Sequence, residues 1–322
     1  MATARAGGEI LSAPHRPGAM RSRLAAGRWH FQHGPIDCIV AVEGEASAVA
    51  ECTEHAWLRF ATVLDELVAE LPLLRTDLSR PDAATIAPRG AVARRMVAAC
   101  RPHGTDGRFI TAMAAVAGSV AEELIAVFAD ERIARASINN GGDIALHLVA
   151  GASWQIGLCA DPVRGRLGAG LDGSFSVAAA SAVRGIATSG WRGRSHSLGI
   201  ADSVTVLAAT ASAADAAATI VANAVDIADA RIVRAPANSV KDDSDLGDRP
   251  VTRHVPALPE RLIETALEHG AGEARAQIGA GRIIAAVLSL QGRWCVVGDV
   301  RPTLPLAPAL PQRRHDPAAV AG

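Results

Sequence analysis

Apolar residues in the first half of the chain recur at the spacing of an amphipathic helix. Between residues 45 and 71 they stand three and four positions apart, for example at Trp57, Phe60 and Leu64. That spacing places them on one face, so the segment is predicted to form a helix that buries this face. Residues 111–128 carry a second stripe of the same kind and predict a second long helix.

The apolar segments from residue 133 onward are shorter and follow a different pattern. Short apolar runs alternate with clusters of Gly, Asn, Asp and Ser up to residue 209, which is typical of strands joined by hairpin turns. Helices packed on one mainly antiparallel sheet predict the α+β class rather than a doubly wound parallel fold. The predicted strands are residues 36–42, 144–149, 154–158, 175–179, 204–208, 283–290 and 294–297, and the further predicted helices are residues 91–100, 212–227 and 259–270.

Length and composition set the domain organisation. The chain has 322 residues, of which 49% are apolar and 20% are charged. A core of about 250 residues is enough for one large domain. We expect a flexible leader over residues 1–22, one α/β domain over residues 23–300 and a Pro-rich tail over residues 301–322.

Charge and cysteine usage narrow the classes of partner. Lys plus Arg number 32 and Asp plus Glu number 33, so no global field attracts nucleic acid or an anionic membrane. The single lysine, Lys241, lies in a polar loop. Five scattered cysteines without a C-x-x-C pair argue against a disulfide framework or a zinc site. Because no apolar run has the length of a signal peptide or a membrane span, we expect a cytoplasmic protein. The sequence is compatible with an oligomer and does not specify one.

The first segment that could carry chemistry reads Asn-Asn-Gly-Gly-Asp at residues 139–143. Two glycines let the backbone take positive φ and bring N–H groups together, which makes an anion nest suited to a phosphate. Asn-Gly is also the commonest signal for a tight hairpin turn, and from these residues alone the turn is the favoured interpretation. Asp143 could receive a ribose hydroxyl or an amine, or could stabilise the loop.

The second segment, residues 184–196, combines glycines, hydroxyls and three arginines. The guanidinium groups of Arg184, Arg192 and Arg194 could grip phosphate oxygens, and Trp191 offers a flat surface for an aromatic ring. This composition favours an anion site over a solvated basic loop. A single histidine such as His196 is more often a hydrogen-bonded structural residue than a ligand or a base.

The third segment begins a helix at residue 212. Asp215 and Thr219 stand four residues apart, so a carboxylate and a hydroxyl face the same way and could share a hard cation such as Mg²⁺. Ser212 and Asp215 also approximate a capping box. From the residues alone, helix capping is the favoured interpretation.

Five motifs, read in order, resemble the ApbE family of FAD:protein FMN transferases. The resemblance covers about residues 137–223, and the chain is more similar still to an uncharacterised sister family within the ApbE-like superfamily. The motifs are Asn140-Gly141-Gly142-Asp143-Ile144, Trp154-Gln155-Ile156-Gly157, Ala187-Thr188-Ser189-Gly190, Ser203-Val204-Thr205-Val206, and Ala214-Asp215-Ala216 with Thr219.

The resemblance implies a fold, ligands and site residues. Members of the superfamily have a T-fold-like layered α/β sandwich, in which glycine-rich turns hold FAD and a helix supplies the Asp and Thr that bind Mg²⁺. For this chain it implies metal ligation by Asp215 and Thr219, which shifts the interpretation of Asp215 from capping towards metal binding. Together with the arginine-rich segment, the expected cofactor-binding residues are Asn140, Gly141, Gly142, Asp143, Arg184, Thr188, Ser189, Gly190, Trp191, Arg192 and Arg194, and the candidate catalytic residues are His196 and Asp202.

Two departures from the transferases concern the flavin and transfer end of the site. The transferases carry His-x-x-Asp-Pro-x-Thr-Gly, whereas His196 is followed here by residues 197–202, which read Ser-Leu-Gly-Ile-Ala-Asp. Ala117 stands before Gly118 where the transferases have Lys. The motif order makes an FAD-binding protein, a Mg²⁺-dependent FMN transferase or related enzyme that acts on an acceptor protein, the leading hypothesis, and the two departures favour its alternative. The alternative is a non-catalytic binding module for a flavin, pterin or purine-like metabolite.

Overall fold

The computed structural model describes residues 18–160, 171–193 and 195–304. The strands are β1 (Met20–Arg23), β2 (Trp29–His33), β3 (Ile36–Gly44), β4 (Ile133–Asn140), β5 (Asp143–Leu148), β6 (Ser153–Leu158), β7 (Gly173–Ala178), β8 (Gly185–Ser189), β9 (Ser203–Ala208), β10 (Val233–Pro236), β11 (Pro250–His254), β12 (Ala285–Leu290) and β13 (Arg293–Gly298). The α-helices are α1 (Ala46–Ala69), α2 (Leu71–Leu74), α3 (Ala91–Thr105), α4 (Val116–Ile125), α5 (Ala211–Ala224), α6 (Ala237–Val240) and α7 (Glu260–Gly279).

Nine strands form one sheet in the order β1-β2-β3-β4-β5-β8-β9-β12-β13. Every neighbouring pair in this sheet is antiparallel. The hairpins β6–β7 and β10–β11 stand outside it. The α+β class with a mainly antiparallel sheet, expected from the sequence, is confirmed.

Strands β9 and β12 are buried on both faces, because helices cover one face and the β6–β7 hairpin covers the other. Val204 and Val206 of β9 belong to the core that contains α5 and α7. Leu207, pointing the opposite way as neighbours on a strand do, packs with Ile156 and Phe175 of the hairpin. This double cover explains why every residue of β9 and of β12 is buried.

The sheet consists of two similar halves. In each half two strands are followed by helices and then by two more strands: β2 and β3 with β4 and β5, then β8 and β9 with β12 and β13. The halves meet at β5 and β8, which pair at only two positions, Ile144 with Ile186 and Ala145 with Gly185. The sheet therefore has a central seam that opens just before Ile144.

Helices α4 and α5 pack against each other over this seam. A Cβ atom on Gly118 of α4 would stand 2.3 Å from the carbonyl oxygen of Ala211 and 2.8 Å from the Cβ of Asp215. Because no side chain fits there, glycine is what lets the backbone of α4 come within hydrogen-bond reach of the side chains of α5.

Two expected helices differ from the structure. The helix expected over residues 111–128 is divided into a 3₁₀ turn, Ala112–Ala115, the helix α4, and a second 3₁₀ turn, Ala126–Phe128. The helix expected to end near Gly270 continues to Gly279. A Cβ on Gly270 would stand 2.3 Å from Val225, so this glycine serves close packing and does not end the helix.

The first strand, β1, starts at Met20, inside the segment expected to be a leader. Residues 1–17 and 305–322, which include most of the expected leader and tail, lie outside the described residues. The domain boundaries therefore stay a prediction. None of the helices in the described ranges has the length and apolar character that a membrane span requires.

The close contact of β8 with the start of α5 gives a stability prediction. A Cβ on Gly185 would stand 2.1 Å from the backbone of Thr210, so we expect Gly185→Ala to lower the free energy of unfolding by about 1–3 kcal/mol or more. Gly272→Ala is the control, since nothing lies within 4 Å of its added Cβ and alanine favours a helix by roughly 1 kcal/mol. Urea unfolding measures both; a Gly185→Ala protein as stable as Gly272→Ala would contradict the expected clash.

Candidate functional site

Polar side chains from three elements converge where the seam between β5 and β8 opens. Asp143 is the first residue of β5, and its Oδ1 accepts a hydrogen bond of 3.1 Å from the backbone N–H of Thr188. The hydroxyl of Thr188 lies 2.9 Å from that of Thr205. Hydrogen bonding fixes Asp143 and Thr188 side by side, so two of the residues expected to contact FAD lie together.

The Gly-Gly turn before Asp143 joins β4 to β5 and is a hairpin turn, as the favoured interpretation expected. Gly141 has φ +67° and Gly142 has φ +117°, values at which an L side chain is strained. The side-chain oxygen of Asn139 accepts a 2.8 Å bond from the N–H of Gly142. The anion nest stays a prediction, because a hairpin turn and a nest use the same backbone.

Asn140 is buried and connects the turn to the helix layer. Its Oδ1 accepts from the N–H of Asp37 at 3.3 Å, and its Nδ2 donates to the carbonyl of Ala117 at 3.1 Å. Asn140 therefore fixes the segment before Gly118 against the sheet. Its expected contact with a cofactor stays a prediction, while its observed contacts are structural.

The carboxylate of Asp215 faces α4 rather than its own helix. Its Oδ2 accepts a 2.8 Å bond from the N–H of Gly118. Burial raises the pKa of this carboxyl well above its usual range, and the negative charge of Asp143 raises it further, although backbone N–H groups at Ala117 and Gly118 act in the opposite direction. Asp143 and Asp215 are thus two carboxylates held within reach of each other's charge.

The capping interpretation of Asp215 is wrong. The N-cap of α5 is Thr210, whose hydroxyl accepts from the N–H of Ala213 at 3.2 Å. Ser212 instead donates its hydroxyl and its N–H to Glu122 of α4, at 2.7 Å and 3.0 Å. The capping-box pattern of Ser212 and Asp215 did not predict their partners, because α4, which is distant in sequence, supplies the hydrogen-bond partners of both side chains.

A polar stripe runs along the otherwise apolar helix α5. Asp215, Thr219 and Asn223 follow at intervals of four residues and are half-buried, whereas most of the alanines between them are buried. That spacing places them on one face. Asn223, which the sequence reading missed, accepts from the N–H of Leu198 at 2.9 Å and from the hydroxyl of Ser197 at 3.2 Å. The stripe therefore leads from the two carboxylates to the loop that carries His196.

The loop between β8 and β9 is held by Asp202. Its Oδ1 accepts from Trp191 Nε1 at 3.2 Å and from Arg192 Nε at 2.7 Å, and its Oδ2 accepts from the N–H of Gln291 at 2.5 Å. The guanidinium of Arg192 also stacks over the ring of Trp191, 4.9 Å from its centre. A Cβ on Gly190 would stand 2.4 Å from the carbonyl of Asp202, so the loop folds tightly on this residue. The contacts of Asp202 are structural, and its catalytic role stays a prediction.

The other expected arginines lie in different situations. The guanidinium of Arg184 donates to the carbonyls of Ala179, Ser181 and Val183 at 2.7–2.8 Å, so it supports the turn after β7. Arg194 lies outside the described residues. The observed contacts of Arg184 are structural, and phosphate binding by Arg184 and Arg194 stays a prediction.

His196 is half-buried and lies among cations. Burial lowers the pKa of its imidazole, the positive charges of Arg253 and Lys241 lower it further, and Asp245 opposes them. The loop after α6 therefore reaches the site: Thr111, which caps the turn before α4, donates its hydroxyl to Asp245. The sequence indicated only a polar loop here, because no spacing in it shows which distant residues it contacts.

The candidate site is a group of polar residues at the mouth of the seam between β5 and β8. Two cavities, of about 470 Å³ beside Arg282 and about 640 Å³ beside Trp29, lie elsewhere on the molecule. We place the site at the mouth of the seam because, among the described residues, two carboxylates lie there next to a positive-φ glycine turn. Among the described residues, no three His, Cys, Asp or Glu side chains lie close enough to hold a metal by themselves.

Fold and site define the class: an antiparallel α+β protein with an acid and hydroxyl site where the two halves of its sheet meet. The chain belongs to the family described as AbpE bacteria, whose model matches residues 21–297. This membership confirms the ApbE-like family expected from the sequence motifs.

Two relatives and two solved structures are similar to this chain. A UPF0280 protein of Methanosphaerula palustris is 33% identical over 62% of this chain and 77% of its own length. A UPF0280 protein of Methanopyrus kandleri is 36% identical over 50% of this chain and 59% of its own length. The ApbE protein of Thermotoga maritima has a TM-score of 0.42 at 12% identity, over 88% of this chain and 96% of its own. A mutant of the flavin transferase ApbE of Vibrio cholerae has a TM-score of 0.33 at 13% identity, over 86% and 95%. The family assignment rests on the sequence match.

The raised pKa of Asp215 predicts a pH-dependent stability difference. Because the folded protein holds the proton of this carboxyl more tightly than the unfolded chain does, stability falls as pH rises from about 4, the unfolded value, through the raised folded value. In metal-free buffer at pH 7 we expect Asp215→Asn to be more stable than the wild type, with a gain that shrinks towards pH 4. Urea unfolding at several pH values measures it. Asp242→Asn, at an exposed position, is the control, and a pH-independent difference for Asp215→Asn would contradict the assignment.

The three bonds of Asp202 predict that it stabilises the loop. Asparagine keeps one oxygen acceptor and loses the charge, so we expect Asp202→Asn to lower the free energy of unfolding by about 1–3 kcal/mol. Asp299→Asn is a control, for which no partner is observed within the described part of the chain. Equal stability of the two variants would show that Asp202 does not hold the loop.

Proposed function

We propose that this protein binds a flavin nucleotide, FAD, together with Mg²⁺, and transfers FMN to a hydroxyl of an acceptor protein. The observation that carries the proposal is the pairing of Asp143 and Asp215 at the mouth of the seam, with Thr219 on the same face of α5. The matched family and the motif order support it. The resemblance to the ApbE-like superfamily supports a T-fold architecture, and the scattered, unpaired cysteines support a cytoplasmic location.

The residues present fit a magnesium ion. A divalent cation between two carboxylates cancels the repulsion between their charges. Because Asp215 is buried, its charge is poorly solvated, and the cation would therefore bind more favourably there. Mg²⁺ takes oxygen ligands and commonly uses one or two carboxylates, with water and substrate phosphates completing its shell. Asp215 and Thr219 would hold the ion, with Asp143 beside them. When bound, Mg²⁺ polarises a pyrophosphate and stabilises the leaving phosphate.

The glycine-rich turns would position the nucleotide. Gly142 leaves room for a ligand at the turn before Asp143, since nothing lies within 4 Å of a Cβ added to it. The end of β8 would supply further contacts to the nucleotide, through Thr188, Ser189 and the following Gly190. Trp191 offers its ring, with Arg192 stacked on it, as the surface for a heteroaromatic group.

His196 is the group best suited to move the proton of the acceptor hydroxyl. Its lowered pKa keeps the imidazole neutral at pH 7, so it can accept a proton. Asn223 fixes the adjacent Ser197 and Leu198 and thereby positions the loop. Asp202 has both carboxylate oxygens in structural bonds, which leaves His196 as the stronger candidate.

A second candidate function is a binding module that keeps a flavin, pterin or purine-like ligand without transfer. The observation that favours it is the engagement of Asp202 in loop contacts, which leaves one candidate base in the described part of the site. Both candidates predict a bound heteroaromatic ligand, and they differ in turnover.

A binding and turnover assay tests the proposal. We expect the wild type to bind FAD in the presence of Mg²⁺ and to release AMP when acceptor protein is added. Asp215→Ala should weaken Mg²⁺-dependent binding about tenfold or more, because it removes the charged ligand, and Thr219→Val should have a smaller effect. Calorimetry measures binding and chromatography measures AMP. FAD binding without AMP release would favour the binding module, and absence of FAD binding would sink the proposal. Thr62→Val, on α1 away from the seam, is the matched control for Thr219→Val.

A further inference from the structure

The peptide group that joins Ala117 to Gly118 is held by hydrogen bonds at both ends. The Nδ2 of Asn140 donates to the carbonyl oxygen of this group at 3.1 Å, and the N–H of the same group donates to Oδ2 of Asp215 at 2.8 Å. Because the carbonyl and the N–H of one peptide group lie in a single rigid plane, a constraint on the first also fixes the direction of the second. A chain of hydrogen bonds therefore runs from Asn140 through α4 to Asp215.

The side chain of Asn140 has one orientation that satisfies both ends of its amide. Asn140 is 4% exposed, and its Oδ1 accepts from the N–H of Asp37 at 3.3 Å while its Nδ2 donates to Ala117. Exchanging the oxygen and the nitrogen would place two donors together at Asp37 and two acceptors together at Ala117. The bond to β3 therefore keeps the amide nitrogen in position against α4.

Asp215 supplies an acceptor that the start of α4 lacks. The helix begins at Val116, and the first N–H groups of a helix have no carbonyl partner within that helix. A carboxylate at a helix N-terminus is favourable, and the buried N–H of Gly118 would lose its partner if Oδ2 moved away. We therefore expect Oδ2 of Asp215 to keep this bond when a ligand is present.

The other carboxylate oxygen of Asp215 is the one left for a cation. Asp215 is half-buried, so an ion can approach it, and within the described ranges no hydrogen bond of comparable length reaches its Oδ1. The backbone of α4 lies directly against this side chain, since a Cβ on Gly118 would stand 2.8 Å from the Cβ of Asp215. The carboxylate therefore has little room to turn, and it presents one oxygen rather than two.

Mg²⁺ and Ca²⁺ differ in how they use a carboxylate. Mg²⁺ requires a near-octahedral shell and keeps several waters, so a single oxygen from each carboxylate suits it. Ca²⁺ accepts more oxygens in a more flexible shell and often binds both oxygens of one carboxylate. A carboxylate whose second oxygen is already hydrogen-bonded fits the first pattern and not the second.

We propose that Asn140 is a positioning residue that sets the metal preference of the site. By fixing the peptide between Ala117 and Gly118 it keeps Oδ2 of Asp215 hydrogen-bonded, so that Asp215 offers a cation a single oxygen, which favours Mg²⁺ over Ca²⁺. This inference rests on the proposed function, in which Asp215 holds the metal ion. Asn140 acts through the peptide group and does not touch the ion.

Calorimetric titration of the full chain with Mg²⁺ and, separately, with Ca²⁺, without flavin, tests this role. Asn140→Leu preserves the size of the side chain and removes the donor to Ala117. We expect it to lower the ratio of the Mg²⁺ affinity to the Ca²⁺ affinity about tenfold, the order of effect of one hydrogen bond to a charged group, because Asp215 is then free to bind Ca²⁺ through both oxygens. Asn238→Leu, at an exposed position of α6, is the matched control and should leave the ratio unchanged. Equal weakening of both ions in Asn140→Leu would show a purely structural role and overturn the inference.

A second measurement uses the wild type and does not depend on the folding of a variant. We expect the amide hydrogen of Gly118 to exchange slowly with solvent, as measured by NMR, and to stay equally protected after Mg²⁺ is added. Loss of protection on adding Mg²⁺ would show that Oδ2 leaves Gly118 for the ion and would overturn the inference, as would absence of Mg²⁺ binding. Failure of FAD to bind, while the two ions follow the expected pattern, would overturn the proposed function and leave the role of Asn140 standing.

Discussion

The hydrogen bond from the N–H of Gly118 to the carboxylate of Asp215 joins the two halves of this molecule at its centre. It forms because glycine at position 118 lets α4 lie directly on α5, where a Cβ would meet the backbone of Ala211. The alanines of α5 serve the same end, since small side chains keep that helix close to both the sheet and α4. The seam between β5 and β8, over which these helices pack, has only two paired positions and would by itself hold the two halves of the sheet weakly.

That contact also determines the chemistry of the site. It keeps the carboxylate of Asp215 partly desolvated and near Asp143, an arrangement that raises its pKa and lowers stability when both groups are charged. Folded proteins tolerate such strain where function requires it. The packing energy of the two cores, on α1 to α4 and on α5 with α7, offsets this local loss.

The fold was largely predictable from the chain, and the site was predictable only in part. Periodicity located α1, α5 and the strands of the second half, because each buries one continuous stripe or run. It did not foresee that Gly270 continues α7, since close packing against Val225 and not the sequence decides this. The turn at Gly141 and Gly142 was visible because only positive φ explains two glycines there.

Motif order identified Asp143, Asp215 and Thr219, and the sequence by itself determined their chemistry and the faces they occupy on strand and helix. Only the tertiary structure decided that Asp215 bonds to α4 rather than to its own helix, that Asp202 holds a loop, and that Asn223 bonds to the loop that carries His196. The physical reason is the distance along the sequence over which each kind of signal acts. Helical and strand periodicity act over a few residues, whereas these contacts join residues that are brought together by the pairing of strands and the packing of helices.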